Sequence, residues 1–296
     1  MGKKETSVKP KTKKQKKSVV QFTEATLKAL TIFARIGKRS VSESFVCIFK
    51  DKIKVVHETG AIIAVFKFDE IELDKSFAIF DTSKFNKILT QFKSMKKDYE
   101  LEFKDESTMI VKSGRNRFKL YLVDFQEKTS IEAEDLEDDR IKGYITVADE
   151  KIQEIKELIK EEKKAEFILL ESDIEKIRKY QRIMNTSAGF VIKKSDTDGI
   201  KFVITDDIGG DSADTASFDL NEESIEFNEL TETDKIMMHF PLDYLLEDDY
   251  KFTIGEKVLL QGQNSGIEYI IAPEIDSGFE SEDYDDEEDE FEDDFS

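Results

Sequence analysis

The most restrictive feature of this chain is that it is written twice, at a period of about 150 residues. The first half opens SVVQFTEATLKALTIFARIG, a short strand ending at Phe22 and then a helix that Thr23 caps and Gly37 stops. The second opens AEFILLESDIEKIRKYQRIM, a strand ending near Leu170 and a helix over 173–184, with Ser172 as N-cap and Glu175 completing a capping box. Three strand-like runs follow in each half, ESFVCIFKDKIKVVHETGAIIAVFKF and AGFVIKKSDTDGIKFVITDDIGGDSADTASFDL. A strand leading into a second short helix comes next: FAIFDTSKFNKILTQFK against KIMMHFPLDYLLEDD, the latter with Pro241 at a first helical position. Three more strands close each half, YELEFKDESTMIVKSGRNRFKLYLVD and YKFTIGEKVLLQGQNSGIEYIIAP. The order β-α-β-β-β-β-α-β-β-β thus runs twice. Thr23 and Ser172 are 149 apart, Tyr99 and Tyr250 151, and Tyr121 and Tyr269 148. Such a pattern predicts an α+β chain of two similar domains, each an antiparallel sheet with one face covered by two helices.

The remaining segments bound the two domains. A basic tail over 1–18 has eight Lys and one Glu. The first domain runs 19–125, a linker with an extra helix 126–165, the second domain 166–274, and an acidic tail 275–296. Residues 126–140 read as linker. Residues 149–164 read as a helix with Ile152, Ile155 and Ile159 on one side, a surface helix packed at the domain junction. From residue 274 onward there are fourteen Asp or Glu and no basic residue, interleaved with Phe279, Tyr284, Phe291 and Phe295. Both tails have the composition of disordered chain. The net charge is −21, and removing both tails leaves −14 on the body.

Against that acidic body the helices stand out. The helix over 24–36 buries Leu27, Leu30, Phe33 and Ile36 and offers Lys28 and Arg35. The helix over 83–93 buries Phe85, Ile88, Leu89 and Phe92 and offers Lys84, Lys87 and Lys93. The helix over 173–184 buries Ile174, Ile177 and Met184 and offers Lys176, Arg178, Lys179 and Arg182. Cations gathered on repeat-related helices of an acidic chain form an electrostatic footprint for a phosphate backbone. The fourth helix, PLDYLLEDD, breaks the pattern with Asp243, Glu247, Asp248 and Asp249.

The segments FTEATLKALTIFARI, FAIFDTSKFNKILTQF, ESDIEKIRKYQRIM and YKFTIGEKVLLQG with IEYIIAPE resemble, in order and character over roughly 19–275, a DNA sliding clamp. The likeness is strongest to the processivity clamp of T4-type bacteriophages, within the fold shared with the proliferating-cell nuclear antigen. The resemblance implies a homotrimeric ring of six similar domains, with sheets outside and helices lining a central hole. It implies passage of duplex DNA without sequence-specific contacts, tethering of a replicative DNA polymerase, and opening by an ATP-dependent clamp loader. Lys28, Arg35, Lys84, Lys87, Lys93, Lys176, Arg178, Lys179 and Arg182 would then face DNA. The charged tails, the extra helix and the acidic fourth helix depart from the family pattern.

An enzyme is not expected. The chain lacks GxxxxGK[ST], GxGxxG and GxSxG patterns. IGGDSADTAS (208–217) falls where a hairpin loop belongs, and two isolated histidines, His57 and His239, with the single Cys47 give no metal-ligand spacing. No cofactor or metal is expected. The absence of an apolar leader, a membrane span or a cysteine pair suits the reducing cytoplasm or nucleoid of a host cell. The rival reading is a single-stranded DNA-binding protein with a basic arm and an acidic tail. It requires base-stacking aromatics among basic residues, whereas most Phe here fall in core phase and Trp is absent. A third class, an acidic interaction scaffold, assigns DNA no role.

Overall fold

The structure, a computed structural model, describes residues 20–38, 44–68, 73, 75–129, 144–185, 188–193, 200–205, 215–219, 226–227, 235–239 and 244–272. Both charged tails and residues 208–214 of the expected loop lie outside the described residues, while 215–217 of that loop belong to a strand. The first half contains α1 (Glu24–Ile36), β1 (Val46–Ile48), β2 (Lys52–Val56), β3 (Ile62–Lys67), β4 (Phe77–Ile79), α2 (Thr82–Ser94), β5 (Glu100–Asp105), β6 (Thr108–Ser113) and β7 (Asn116–Val123). Then come β8 (Phe125–Lys128), β9 (Tyr144–Val147) and α3 (Asp149–Glu161). The second half contains β10 (Ala165–Leu169), α4 (Glu171–Met184), β11 (Ala188–Lys193), β12 (Ile200–Thr205) and β13 (Thr215–Asp219). It closes with β14 (Glu226–Phe227), β15 (Lys235–His239), β16 (Tyr250–Ile254), β17 (Val258–Gly262) and β18 (Ile267–Ile271).

Twelve strands form one sheet in the order β14-β10-β16-β17-β18-β3-β2-β1-β4-β7-β6-β5, and β13-β12-β11-β15 form a second. The halves meet inside the large sheet, where β18 pairs antiparallel with β3 from Ile267–Phe66 to Ile271–Ile62. Side chains alternate across a strand, and here the alternation sorts them into two cores. Val55, Ile62, Ala64, Phe66, Val258, Leu260, Ile267, Tyr269 and Ile271 share a core with the apolar sides of α1, α2 and α4. Val56, Ile63, Val65, Leu259 and Ile270 share another with Ile152, Ile155 and Ile159 of α3. Three helices therefore lie on one face of the sheet, and α3 lies on the other, across the seam between halves.

α3 is fastened there by more than apolar contact. Lys156 donates to Glu268 of β18, both side chains largely buried. At Gly255 a Cβ would sit 3.1 Å from the Ile159 carbonyl oxygen, so α3 approaches that backbone closely. The segment before α3 is not plain linker: β8 and β9 pair in parallel. Lys54 of β2, 1% exposed, pins them by donating to Glu127, to the Val147 carbonyl at 2.9 Å and to Asp149 at 3.1 Å. Burial opposes ionisation of Asp149, but Lys52 and Lys54 outweigh it and hold its carboxyl below the ordinary range.

Other expectations also need correction. Residues 20–22 form no strand: the Phe22 N–H donates to the Tyr99 hydroxyl at 2.5 Å and Gln21 bonds to Asp98. Among the described residues β5 ends the large sheet, whereas its counterpart β16 is paired along its length by β10. The extra helix ends at Glu161, three residues earlier than expected. Tyr121 and Tyr269 are not equivalent. Tyr121 is 66% exposed and Tyr269 is buried, so the true register is shifted by one residue, which exchanges the faces of a strand.

Candidate nucleic-acid interface

The three helices on the common face are set by local chemistry. The Thr23 hydroxyl accepts from the Thr26 N–H and starts α1, and Gly37 ends it where a Cβ would stand 2.2 Å from the Phe45 carbonyl oxygen. Asp81 starts α2 by accepting from the Lys84 N–H. α4 begins at Glu171 instead of 173, with no side-chain cap from its own N-cap residue, Leu170. The Glu171 N–H is taken by a remote carboxylate, Asp249, at 2.8 Å. At the other end Asn185 closes the helix in the left-handed conformation, φ 53°.

Polar contacts tie these elements into one layer. Asn86 of α2 bonds to Thr31 of α1, and Lys93 pairs with Glu24 at 3.3 Å. Lys28 of α1 pairs with Glu247 of the second half at 3.1 Å. Arg178 of α4 donates to the Leu245 carbonyl at 2.7 Å. The order across the face is therefore α2, α1, the 244–249 segment, α4.

That segment holds the main departure from expectation. The sequence predicts a helix over 241–249; residues 244–249 are not α-helical, and 241–243 lie outside the described residues. Its acids are occupied with holding the layer together. Glu247 meets Lys28, and Asp249 satisfies the first turn of α4. Asp248, 3% exposed, accepts from the Ser265 N–H at 2.8 Å, the Asn264 N–H at 3.1 Å and the Asn264 amide at 2.9 Å. Burial works against the Asp248 carboxylate, but Ser265 and Asn264 more than compensate and lower its pKa. Tyr250 reinforces the bend, its hydroxyl accepting from the Leu246 N–H at 3.0 Å. A chain bound this way to the turn after β17 cannot continue as a helix. In the sequence these acids stand out only as an anomaly; apart from the Asp249 N–H, which donates to Asp248, their partners are remote and leave no local motif.

Of the nine cations expected to face DNA, Lys28, Arg35, Lys84, Lys87, Lys93, Lys176, Lys179 and Arg182 are exposed, on the helix layer. Arg178 is half-buried and serves as a bolt to Leu245. Lys28 and Lys93 carry acid partners, and Lys176 pairs with Asp173 at 2.8 Å, a hydrogen bond that raises its pKa. Arg35, Lys84, Lys87 and Lys179 have no ion-pair partner among the described residues. Among the described residues no three His, Cys, Asp or Glu are grouped to hold a metal, and no helix is long and apolar enough to cross a membrane. Burial pushes the Cys47 thiol far above its ordinary value, so it stays protonated.

No protein-family model matches the chain, and no curated protein matches its sequence. Solved structures do match its fold. Proliferating cell nuclear antigen from Entamoeba histolytica superposes with a TM-score of 0.53 at 14% identity, over 86% of this chain and 97% of that one. The DNA polymerase III beta chain of Streptococcus pneumoniae gives 0.55 at 10% identity, over 89% and 67%. The DNA polymerase sliding clamp of Pseudomonas aeruginosa gives 0.51 at 13% identity, over 86% and 64%. With two strand-rich halves joined through one sheet and helices of both halves on one face, this chain has the α+β sliding-clamp fold.

Proposed function

We propose that the chain is a subunit of a ring-shaped sliding clamp that encircles duplex DNA and tethers a DNA polymerase. The observation that carries this reading is the single layer formed by α2, α1 and α4, with exposed cations from both halves on an otherwise acidic chain. In the closed ring that layer faces the hole. Lys84, Lys87, Lys179 and Arg35 meet phosphates loosely and without base readout, while topology supplies the residence time. Arg178 drops out of the DNA-facing set because the Leu245 carbonyl holds it.

Assembly follows from the repeat. Inside the chain β3 pairs with β18. The second-half counterpart of β3 is β13, which ends the four-stranded sheet. Pairing of that edge with the first half of the next copy closes three chains into a homotrimer of six similar units and covers an exposed edge. The T4-type bacteriophage likeness, the ATP-dependent loader, the non-enzymatic role and a cytoplasmic or nucleoid location belong to the same reading. A single-stranded DNA-binding role is disfavoured by the fold and by aromatic side chains committed to the core, including Phe33, Phe85, Phe167 and Phe252.

Electron microscopy of the purified chain tests the proposal, with rings of six-fold pseudo-symmetry as the expected particles. Loaded onto circular and linear DNA, the clamp is expected to stay on the circle and run off the free ends. A monomer that holds a short single-stranded oligonucleotide unaided contradicts it.

A further inference from the structure

The described residues hold a second group of cations, away from the outward faces of the helix layer. Met95, Lys96 and Lys97 follow the end of α2, Arg115 lies in the turn joining β6 to β7, and Arg117 is the second residue of β7. The Ser113 hydroxyl donates to the Asp98 carbonyl at 2.8 Å, and Phe118 lies 5.7 Å from Phe92, so the two turns meet at one corner. All four cations are exposed, as are two apolar side chains of the same two turns, Met95 (46%) and Phe118 (38%); Arg117, one residue before Phe118 in β7, stands on the opposite face of the strand. The chain also enters here. Gln21 bonds to Asp98 and the Phe22 N–H to Tyr99, so the first described residues lie at this corner.

We propose that the acidic segment 274–296 of the chain folds back onto this basic corner. Charge is the first argument: the segment carries fourteen acids and no base, and its four aromatics suit the exposed apolar pair at this corner. Position is the second. Ala272 follows β18, and its N–H donates to the Ala61 carbonyl at 2.8 Å. Crossing the large sheet from β18 through β3, β2, β1 and β4 to β7 gives five strand steps, about 24 Å at the usual spacing. Ala272 and Arg117 lie toward the same end of the strands on that path. Random-coil statistics give 23 residues a root-mean-square span of about 24–29 Å, comparable with that lateral distance. Tethering at that distance gives an effective concentration on the order of millimolar, enough for individually weak ion pairs to hold. The helix layer is the poorer host, because Glu24, Asp173 and Glu247 already meet three of its lysines.

The chain lacks Trp, so Phe291→Trp in the full-length protein is a clean reporter. Acrylamide quenching of this Trp is expected to be about twofold weaker at low salt than at about 0.5 M salt, where the ion pairs are screened. The variant K96E/K97E/R115E/R117E, all at exposed positions, is expected to abolish that protection with an unchanged circular dichroism spectrum. Protection that survives those reversals, or that disappears only in K84E/K87E/K179E, overturns the proposal. Zero-length carbodiimide coupling of the parent chain needs no substitution. Links from the segment to Lys96 or Lys97 support the proposal, and links confined to Lys84 and Lys87 overturn it.

Discussion

Removing the Asp248 carboxylate is the sharpest probe of how the helix layer is held. Its two oxygens accept from the backbone N–H groups of Asp249, Asn264 and Ser265 and from the Asn264 amide. Counting each as a full charged hydrogen bond, at about 1.5–3 kcal/mol, overstates the loss. Asn264 is exposed, so water replaces its partner, whereas Ser265 is only half-exposed. One poorly solvated N–H and the collapse of a buried side-chain site then set the cost of Asp248→Ala at about 2–3 kcal/mol. The assay is urea unfolding of parent and variant, with coincidence of two probes checked before a free energy is extracted. Because the carboxyl pKa is lowered in the fold, its contribution is complete above the unfolded carboxyl value, about 3.9, and vanishes as pH falls through the folded value. The gap between parent and Asp248→Asn should therefore shrink below about pH 4. A cost under about 0.5 kcal/mol at neutral pH, the range of an ordinary surface change, would refute the assignment.

Other substitutions separate the remaining claims. Gly37→Ala forces a Cβ onto the Phe45 carbonyl and should lower stability by about 1–3 kcal/mol, read as a fall in the urea midpoint; an unchanged midpoint contradicts the close approach. Lys156→Ala leaves the largely buried Glu268 without its ion-pair partner beneath α3, with the Gln261 amide still donating to it. A loss of about 2–3 kcal/mol is expected, less than for a fully enclosed pair, and calorimetry showing no change would mean α3 is held by its isoleucines alone. Tyr269→Phe removes the hydroxyl donated to the Tyr244 carbonyl at 2.5 Å and should cost about 1 kcal/mol, while Tyr121→Phe should be neutral; equal effects would restore the discarded register. Lys84→Ala, Lys87→Ala and Lys179→Ala together should flatten the logarithmic salt dependence of DNA binding by about 0.9 for each phosphate no longer neutralised, with the urea midpoint unmoved. An unaltered salt slope removes these lysines from the interface.

Much of this architecture is readable in the sequence because it is periodic. Leu27, Leu30, Phe33 and Ile36 on α1 and Phe85, Ile88, Leu89 and Phe92 on α2 are buried as their spacing requires. The repeat order locates the strands, since alternation and turns are local signals. What escapes the sequence depends on remote partners. Nothing near Phe22 announces that its N–H goes to Tyr99, so a strand is expected where the chain is irregular. PLDYLLEDD has helical composition, but Asp248 is claimed by the turn at Asn264 and Ser265. Ser172 and Glu175 have the spacing of a capping box, yet Asp249 starts α4 from across the fold. Lys54 gives no hint in its strand that it anchors β9 through Val147. Among the site residues, exposure of the lysines follows from helix phase, while the diversion of Arg178 does not.

The seam between β3 and β18 has a mechanical consequence. Separating the halves requires breaking five registered residue pairs and peeling away a helix whose isoleucines grip strands on both sides of the join. A body built like this is stiff at its midpoint. Torque applied to it passes through to the outer edges instead of being absorbed at the join.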